Sequence, residues 1–238
     1  TERGAELGRE LTQAFANIGD SVNAIIGMNR NRIRLAVCSS FAAGWLAPRM
    51  TSLLAHNPAI ILDVLQFGHD PELTDAVADA YVTAKPVISG FQAVELFEEK
   101  LVAIAAPAVA RHLHDGPART LISTTAGEPM RGNDWHNFAE FTGLSHTGWH
   151  PERWLYCSHY VSTLAFAEAG SGVGLVPDFL AEAPLRSGRL VKAFEGYLST
   201  GRTYRFCIKT ARRSETNLAA LLKWFSAGSL RAVGLAAE

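Results

Sequence analysis

Short apolar runs and segments of helical spacing alternate along the first third of the chain. Residues 33–37, IRLAV, form an apolar run that includes β-branched residues, which predicts a buried strand. The apolar residues of the next segment recur at helical spacing: Phe41, Trp45, Leu46, Leu53 and Leu54. Apolar runs at 60–67 and 80–83 predict two more strands.

The second predicted strand, 60–67, is almost continuously apolar, as is typical of a parallel strand with both faces buried. Asp70 and Pro71 follow it and favour the N-cap and the first position of a helix. We therefore expect a short helix over 72–78. The resulting order of strand, helix, strand, helix, strand predicts right-handed βαβ units around a parallel sheet.

The second half of the chain continues the pattern with shorter elements. Apolar runs predict four strands, at 95–106, 121–125, 173–176 and 204–208. Helical spacing predicts helices at 135–141 and 217–225. Ser158 predicts the N-cap of a further helix, which the glycine-rich residues 170–174 end.

Residues 1–27 carry apolar side chains at spacings of four or three: Leu7, Leu11, Phe15, Ile18, Val22 and Ile25. This heptad-like spacing predicts a helix that pairs with a second helix. A helix of this length is marginally stable alone and needs a partner surface. The alternative is that it packs against its own domain.

The first predicted strand runs directly into a helix through Ser39 and Ser40. A junction of this kind leaves unpaired backbone N–H groups at the positive end of the helix, beside the two hydroxyls. Such a helix start can bind an anion or a polar ligand. The alternative is that Ser39 only caps the helix, which is a common role of serine.

The sequence contains no set of residues with the spacing of a catalytic site, and we therefore expect the chain not to be an enzyme. The glycine-rich residues 170–174 lack the lysine of a phosphate-binding P-loop and precede a strand instead of following one. Four histidines lie in one window, His136, His146, His150 and His159, without the spacing of zinc ligands. We expect neither a metal nor another cofactor.

Composition narrows the class of protein further. The 238 residues carry a formal net charge of −1, so the composition shows no excess of positive charge that would indicate a nucleic-acid-binding protein. Neither a membrane-spanning apolar run nor a signal peptide is evident, so we expect a cytoplasmic protein without a membrane partner. Three cysteines, Cys38, Cys157 and Cys207, predict reduced thiols rather than a disulfide framework.

Six motifs occur along the chain: SFA at 40–42, WLAPRM at 45–50, HNPAI at 56–60, LFEEKLVAIAAP at 96–107, AGSGVGLVP at 169–177 and GRLV at 188–191. Together they resemble the effector-binding domain of LysR-type transcriptional regulators, in particular the glycine-cleavage-activator-like branch. The resemblance covers nearly the whole chain.

The resemblance implies an α/β fold of two Rossmann-like subdomains with a hinge of two crossing strands, as in type 2 periplasmic binding proteins. One subdomain is expected at 28–105 with 206–238, and the other at 106–205. The N-terminal helix at 1–27 is then the linker that dimerises the family's members. The TERG at 1–4 resembles the residues after the family's winged helix-turn-helix, so we expect the DNA-binding domain to be missing from this chain.

The resemblance also implies the partners. A small effector, expected to be anionic, binds in the cleft between the subdomains and controls transcription through a homodimer or homotetramer. DNA is contacted only through the winged helix-turn-helix, and RNA polymerase is a further candidate partner. The alternatives are a stand-alone solute-binding protein and a thiol-based redox sensor.

Ten residues are implied to line this cleft: Ser39, Ser40, Phe41, Gln66, Phe67, His69, Thr124, Thr125, Trp154 and His159. The two serines and the N–H of Phe41 are expected to meet the polar end of the effector, opposite the helix start at 158–159. The rings of Phe41, Phe67 and Trp154 are expected to cover an apolar body. The branch often carries an arginine after the third strand, whereas this chain has VTAK at 82–85, in which Lys85 is a weak substitute.

Overall fold

The structure, a computed structural model, describes residues 31–74, 76–113, 120–124, 131–147 and 150–234. In the N-terminal segment it describes six helical positions: Gly4, Gly8, Leu11, Ala14, Phe15 and Ile18. The rest of the helix predicted over 1–27 lies outside the described residues.

The first strand, β1 (Arg32–Cys38), leads without a break into a helix of three parts. These are α1 (Ser39–Phe41), a π-helical turn (Ala42–Leu46) and α2 (Ala47–His56). Pro48 lies in the first turn of α2, where its fixed backbone angle suits a helix start. The predicted strand and helix are both confirmed.

Two parallel strands flank β1: β2 (Ile61–Phe67) on one side and β3 (Ala80–Thr83) on the other. β2 pairs along its whole length, and Cys38 lies opposite Phe67, so β1 and β2 end at the same level. The predicted burial of β2 on both faces is wrong, since Ile61 is 57% exposed. β2 is the last strand of the sheet, and neighbouring structure covers it less completely than a central strand.

The short helix predicted over 72–78 is also wrong, because the described residues of that segment form turns and irregular backbone. Asp70, the predicted N-cap, directs its carboxylate elsewhere. It accepts hydrogen bonds from the N–H of Ala84 at 2.7 Å and from the hydroxyl of Thr83 at 3.1 Å. Asp70 therefore fixes the end of β3 instead of starting a helix.

Two long antiparallel strands cross from one half of the molecule to the other: β4 (Phe91–Ala105) and β9 (Leu198–Lys209). β9 also pairs with β3, whereas the C-terminal part of β4 pairs with β7 (Val173–Pro177) and β8 (Val191–Lys192). The crossing strands therefore belong to both halves of the sheet.

The ladder between the crossing strands is irregular at two places of β4, between Glu95 and Phe97 and between Glu98 and Lys100, and the second is a pronounced bulge. Thr200, Gly201 and Arg202 of β9 lie opposite Glu99 of β4 alone. Gly201 has a φ of +70°, which residues with a side chain rarely adopt. Bulges bend a strand and redirect its side chains, so this one sets the directions of Glu99 and Arg202.

The remaining elements follow in chain order: α3 (Pro107–Arg111), β5 (Thr120–Thr124), α4 (Asn133–Thr142), a 3-10 turn (Leu144–Thr147), β6 (Arg153–Cys157), α5 (Tyr160–Glu168), α6 (Asp178–Arg186) and a 3-10 turn (Thr210–Arg212). Within the described residues, the strands form one sheet in the order β2-β1-β3-β9-β4-β7-β5-β6, with β8 beside β4.

The sequence did not predict α6, because Pro184 in its interior argues against a helix. The N-cap of α5 is His159 instead of Ser158.

The closing helix, α7 (Thr216–Gly234), packs on both crossing strands. Its Phe225 stacks on Phe206 of β9, with ring centroids 4.1 Å apart, and on Trp45 at 5.7 Å. The largest group of buried apolar residues extends from β1 through β4 and β9 to β7 and α6. One core therefore joins both halves of the described chain.

Candidate functional site

The carboxyl end of β2 meets the start of α5 in a close contact. A Cβ atom added to Gly68 would lie 2.5 Å from Nε2 of His159, so the imidazole packs directly against the backbone of Gly68. Nδ1 of the same ring lies 2.6 Å from the hydroxyl of Ser158. The two halves of the chain face each other across this contact.

Ser39 and Ser40 begin α1 directly after Cys38, which occupies the N-cap. No side chain makes a capping hydrogen bond at this helix start, so the alternative role of Ser39 as the cap is wrong. Ser39 is half-buried, whereas Ser40 is only 4% exposed and its Oγ lies 3.3 Å from Sγ of Cys38. Because α1 also contacts α5, two helix starts lie beside one another.

Phe41 belongs to the core. Its ring is fully buried and stacks on Trp45 at 4.9 Å and on Tyr204 at 5.7 Å. The rings of Phe97 and Phe179 complete this aromatic cluster. The expectation that the ring of Phe41 covers a ligand is therefore corrected, because its faces are already occupied.

The three predicted residues at the end of β2 lie next to the start of α1. Phe67 is half-buried against a cluster that contains Ala36 and Tyr81, whereas Gln66 and His69 are exposed. Since Phe67 is the register partner of Cys38, these residues and the two serines occupy the same edge of the sheet.

Thr124, the last residue of β5, lies in a buried polar group. Its N–H donates to Asp134 at 3.2 Å, and its Oγ1 lies 2.8 Å from Oγ1 of Thr163 on α5. Thr124 therefore ties the end of β5 to α5. Thr125, which was predicted together with it, lies outside the described residues.

Trp154 lies on β6, the strand at the opposite edge of the sheet from β2. Its ring is stacked on that of Tyr156, with centroids 5.9 Å apart, and lies over Gly132. These contacts place Trp154 with the exposed surface of β6, and none of them joins it to the serines or to His159.

A largely buried polar network that joins the crossing strands to Asp70 was not predicted as part of the site. It consists of Asp70, Glu99, Arg202 and Tyr204. Arg202 donates from Nη2 to Asp70 at 2.6 Å, and its Nη1 lies 3.8 Å from Glu99. The hydroxyl of Tyr204 donates to Glu99 at 3.0 Å and lies 3.6 Å from Sγ of Cys38. The network therefore connects the bulge with the start of α1.

Burial and charge together set the protonation of this network. Burial raises the pKa of Glu99, although Arg202 and the hydroxyls of Tyr204 and Thr200 oppose this. Burial disfavours the charge of Arg202, but attraction to Glu99 and Asp70 outweighs it and raises the pKa of Arg202. Burial raises the pKa of Tyr204, so it remains a neutral hydroxyl at physiological pH.

The sequence carried a signal for one member of the network and none for another. Glu99 is a carboxylate within the motif LFEEKLVAIAAP, in a strand that becomes fully buried a few residues later. Arg202 lies in the polar stretch STGRT at 199–203, which resembles an ordinary turn. Arg202 lies opposite Glu99 because of the bulge, which the sequence does not indicate.

The described residues bear on two further properties, metal binding and the reactivity of the cysteine thiols. Among the described residues, no group of three or more His, Cys, Asp and Glu side chains could hold a metal ion. All three cysteines are buried thiols outside any disulfide, and burial raises the pKa of Cys207 to about 12. Because the thiolate is the reactive form, a raised pKa argues against a redox sensor at Cys207.

In the part of the chain that the structure describes, no helix combines the length and the apolar character that crossing a bilayer requires.

Comparisons with known sequences identify the family. The family model of the LysR substrate binding domain matches residues 27–229. The glycine cleavage system transcriptional activator of Escherichia coli is 22% identical over 232 residues, which are 95% of this chain and 75% of that protein. The HTH-type transcriptional activator AmpR of Pseudomonas aeruginosa is 26% identical over 204 residues, covering 84% of this chain and 68% of the relative.

Solved structures show the same fold. The effector domain of AmpR from Pseudomonas aeruginosa has a TM-score of 0.72 at 21% identity and covers 87% of this chain and 100% of that one. Full-length LysG from Corynebacterium glutamicum with bound effector Arg has a TM-score of 0.61 at 18% identity and covers 97% and 79%. The predicted type 2 periplasmic-binding-protein-like α/β fold is confirmed. The chain belongs to the LysR substrate binding domain family and is the effector-binding domain of a LysR-type transcriptional regulator.

Proposed function

We propose that this chain binds a small anionic effector where β1, β2 and β5 end opposite the start of α5. Binding adjusts the relative position of two subdomains, 28–105 with 206–238 and 106–205, whose hinge is formed by β4 and β9. The new position of the subdomains changes the geometry of a homodimer or homotetramer, and this change controls transcription. An effector acts in this way only if its affinity differs between the two geometries.

The observation that carries the proposal is the meeting of two helix starts, at Ser39 and Tyr160, neither of which has a side-chain capping bond. Each helix start stabilises a negative group by about 0.3–1 kcal/mol, and two of them act together on one ligand. LysG, which shares the fold, was solved with a bound amino-acid effector, and this supports a small molecule as the ligand.

The remaining partners follow from the family and from charge. The chain covers 75% of the length of the Escherichia coli relative, and we propose that a winged helix-turn-helix outside residues 1–238 contacts DNA. Because the net charge is −1, we expect this chain alone to bind DNA at most weakly and without sequence specificity. We further propose a cytoplasmic regulator without catalytic activity, for which RNA polymerase is a candidate partner.

Native mass spectrometry of the purified chain tests the proposal by detecting a small molecule that co-purifies. Titration of that molecule by calorimetry into Ser39→Ala and Ser40→Ala should then show several-fold weaker binding, because each variant removes a hydroxyl at the start of α1. Ser187→Ala, at the exposed end of α6, is the matched control and should bind normally. Unchanged affinity in both α1 variants would place the ligand elsewhere.

A further inference from the structure

The side chain of Arg202 is partly exposed although it contacts two buried carboxylates. Its Nη2 donates to Asp70 at 2.6 Å and its Nη1 lies 3.8 Å from Glu99, yet 40% of its side chain is exposed. A guanidinium has five N–H donors, and one hydrogen bond to Asp70 leaves most of them for another acceptor.

The two carboxylates, by contrast, are buried and already bonded. Asp70 and Glu99 have side chains that are only 4% and 1% exposed. Asp70 accepts from the N–H of Ala84, and Glu99 accepts from the hydroxyls of Tyr204 and Thr200, both at 3.0 Å. Their role is to orient Arg202, because their own oxygens are turned away from solvent.

Arg202 also lies where the two halves meet. Asp70 follows the contact between Gly68 and His159 by two residues, and Arg202 is within electrostatic range of Tyr160, the first residue of α5. The Nζ of the exposed Lys85 lies 3.4 Å from the carbonyl oxygen of Asp70. Two cations with exposed surface, Arg202 and Lys85, therefore lie beside two buried acids.

We propose that Arg202 is the residue that anchors a carboxylate of the effector, which rests on the proposed function of the cleft. The planar fork of the guanidinium matches a carboxylate in a bidentate pair, and this match selects carboxylates over amides of the same shape. Because Asp70 binds both Arg202 and the N–H of Ala84, the guanidinium is held beside the end of β3, at the same edge of the sheet as the proposed cleft.

The test titrates the 238-residue chain, labelled with 15N-arginine, with acetate, glycine and benzoate and with acetamide, glycinamide and benzamide at constant ionic strength. The acids should shift the Nε–H resonance of Arg202 in a saturable way and raise the melting temperature, whereas the amides should do neither. Arg202→Gln should weaken benzoate binding by about tenfold or more, and Arg202→Lys by less, because lysine keeps the charge without the fork.

Arg205→Gln is the matched control, because Arg205 lies on the same strand and pairs with the exposed Glu95 at 2.9 Å. It should leave the response to the acids unchanged. The inference is overturned if the amides act like the acids, if Arg202→Gln retains the full response, or if no acid has an effect. A response to amides that Ser39→Ala abolishes would retain the proposed cleft and remove only the carboxylate anchor.

Discussion

The imidazole of His159 occupies the space that a side chain at position 68 would need: a Cβ atom on Gly68 would lie 2.5 Å from its Nε2. The backbone of Gly68 does not require glycine, since its φ is not positive. We therefore expect Gly68→Ala to act purely by overpacking and to lower the free energy of unfolding by about 1–3 kcal/mol. Urea unfolding followed by circular dichroism measures this loss.

Two further variants test whether the loss of stability comes from a clash between a Cβ atom at position 68 and the imidazole of His159. His159→Ala removes the ring, and the double variant Gly68→Ala/His159→Ala should recover the stability lost in Gly68→Ala. An equal loss in the single and double variants would show that the effect of alanine at position 68 does not come from His159.

Tyr204→Phe tests the buried polar network. It keeps the stacked ring but removes the hydroxyl that donates to Glu99, which should cost about 1–3 kcal/mol because a buried carboxylate loses a donor. The pKa of Glu99 should rise further above its ordinary value of 4.5. Since the folded chain then holds the proton more tightly than the unfolded chain, stability should fall more steeply as pH rises above about 4.5.

Urea unfolding at acidic and neutral pH measures both effects. Glu99→Gln, made in the wild-type and Tyr204→Phe backgrounds, is the control, because a side chain that does not titrate should remove the added pH dependence. A Tyr204→Phe variant with the pH profile of the wild type would argue that the hydroxyl does not support Glu99.

Asp79 should contribute to acid sensitivity in the opposite direction. Burial raises its pKa, but hydrogen bonds from Arg212 at 2.7 Å and from the N–H of Arg34 at 2.9 Å outweigh burial and lower the pKa below 3.8. The stability that these bonds supply is present above that value and is lost as pH falls through the lowered pKa.

Asp79→Asn should therefore reduce stability by about 1–3 kcal/mol at neutral pH and by progressively less as pH falls below 3.8. Thermal unfolding across this pH range is the measurement. Asp63→Asn is the control, since Asp63 pairs with the largely exposed Arg32 and should contribute about 0–1 kcal/mol. A loss at Asp79 that does not depend on pH would contradict the assignment.

The exposed apolar positions of the N-terminal segment predict self-association. Leu11, Phe15 and Ile18 are 50%, 70% and 59% exposed and follow the heptad-like spacing. We expect sedimentation to show at least a dimer at tens of micromolar. Phe15→Lys should shift it toward the monomer, because each buried phenylalanine contributes about 1.5–3 kcal/mol.

Ala14→Lys is the matched control, since Ala14 is exposed and lies off the apolar seam. It adds the same charge next to Phe15 and should leave the dimer intact. A monomeric wild-type chain would remove the basis for association through this segment.

The hydrophobic pattern predicted most of the strands and the main helices, because buried strands form apolar runs and buried helix faces repeat at helical spacing. It failed at residues 72–78, where Asp70 has the chemistry of an N-cap but bonds to the backbone of Ala84. It also failed at α6, because Pro184 is tolerated within a buried helix although it argues against one in sequence.

The candidate site was predictable only in part. Ser39 and His159 stand at helix starts that local sequence signals mark. Phe41 was misassigned because periodicity shows that a ring faces inward but not that other rings already occupy its faces. Arg202 was missed because its partners, Asp70 and Glu99, are more than a hundred residues away in sequence.

The bulge at Gly201 limits how the two halves can move relative to one another. No loop separates them along β4 and β9, and the two strands are tied by a ladder from Phe91 to Leu101. We therefore expect flexure to concentrate where the ladder is irregular, above all at the three-residue bulge 200–202, and to stay small because a shared core resists wide opening. Amide hydrogen exchange should be faster at 199–202 than at 205–208, and uniform protection along β9 would place the flexing point elsewhere. We therefore expect a bound ligand to bend one continuous sheet slightly, with no closure of two separate domains.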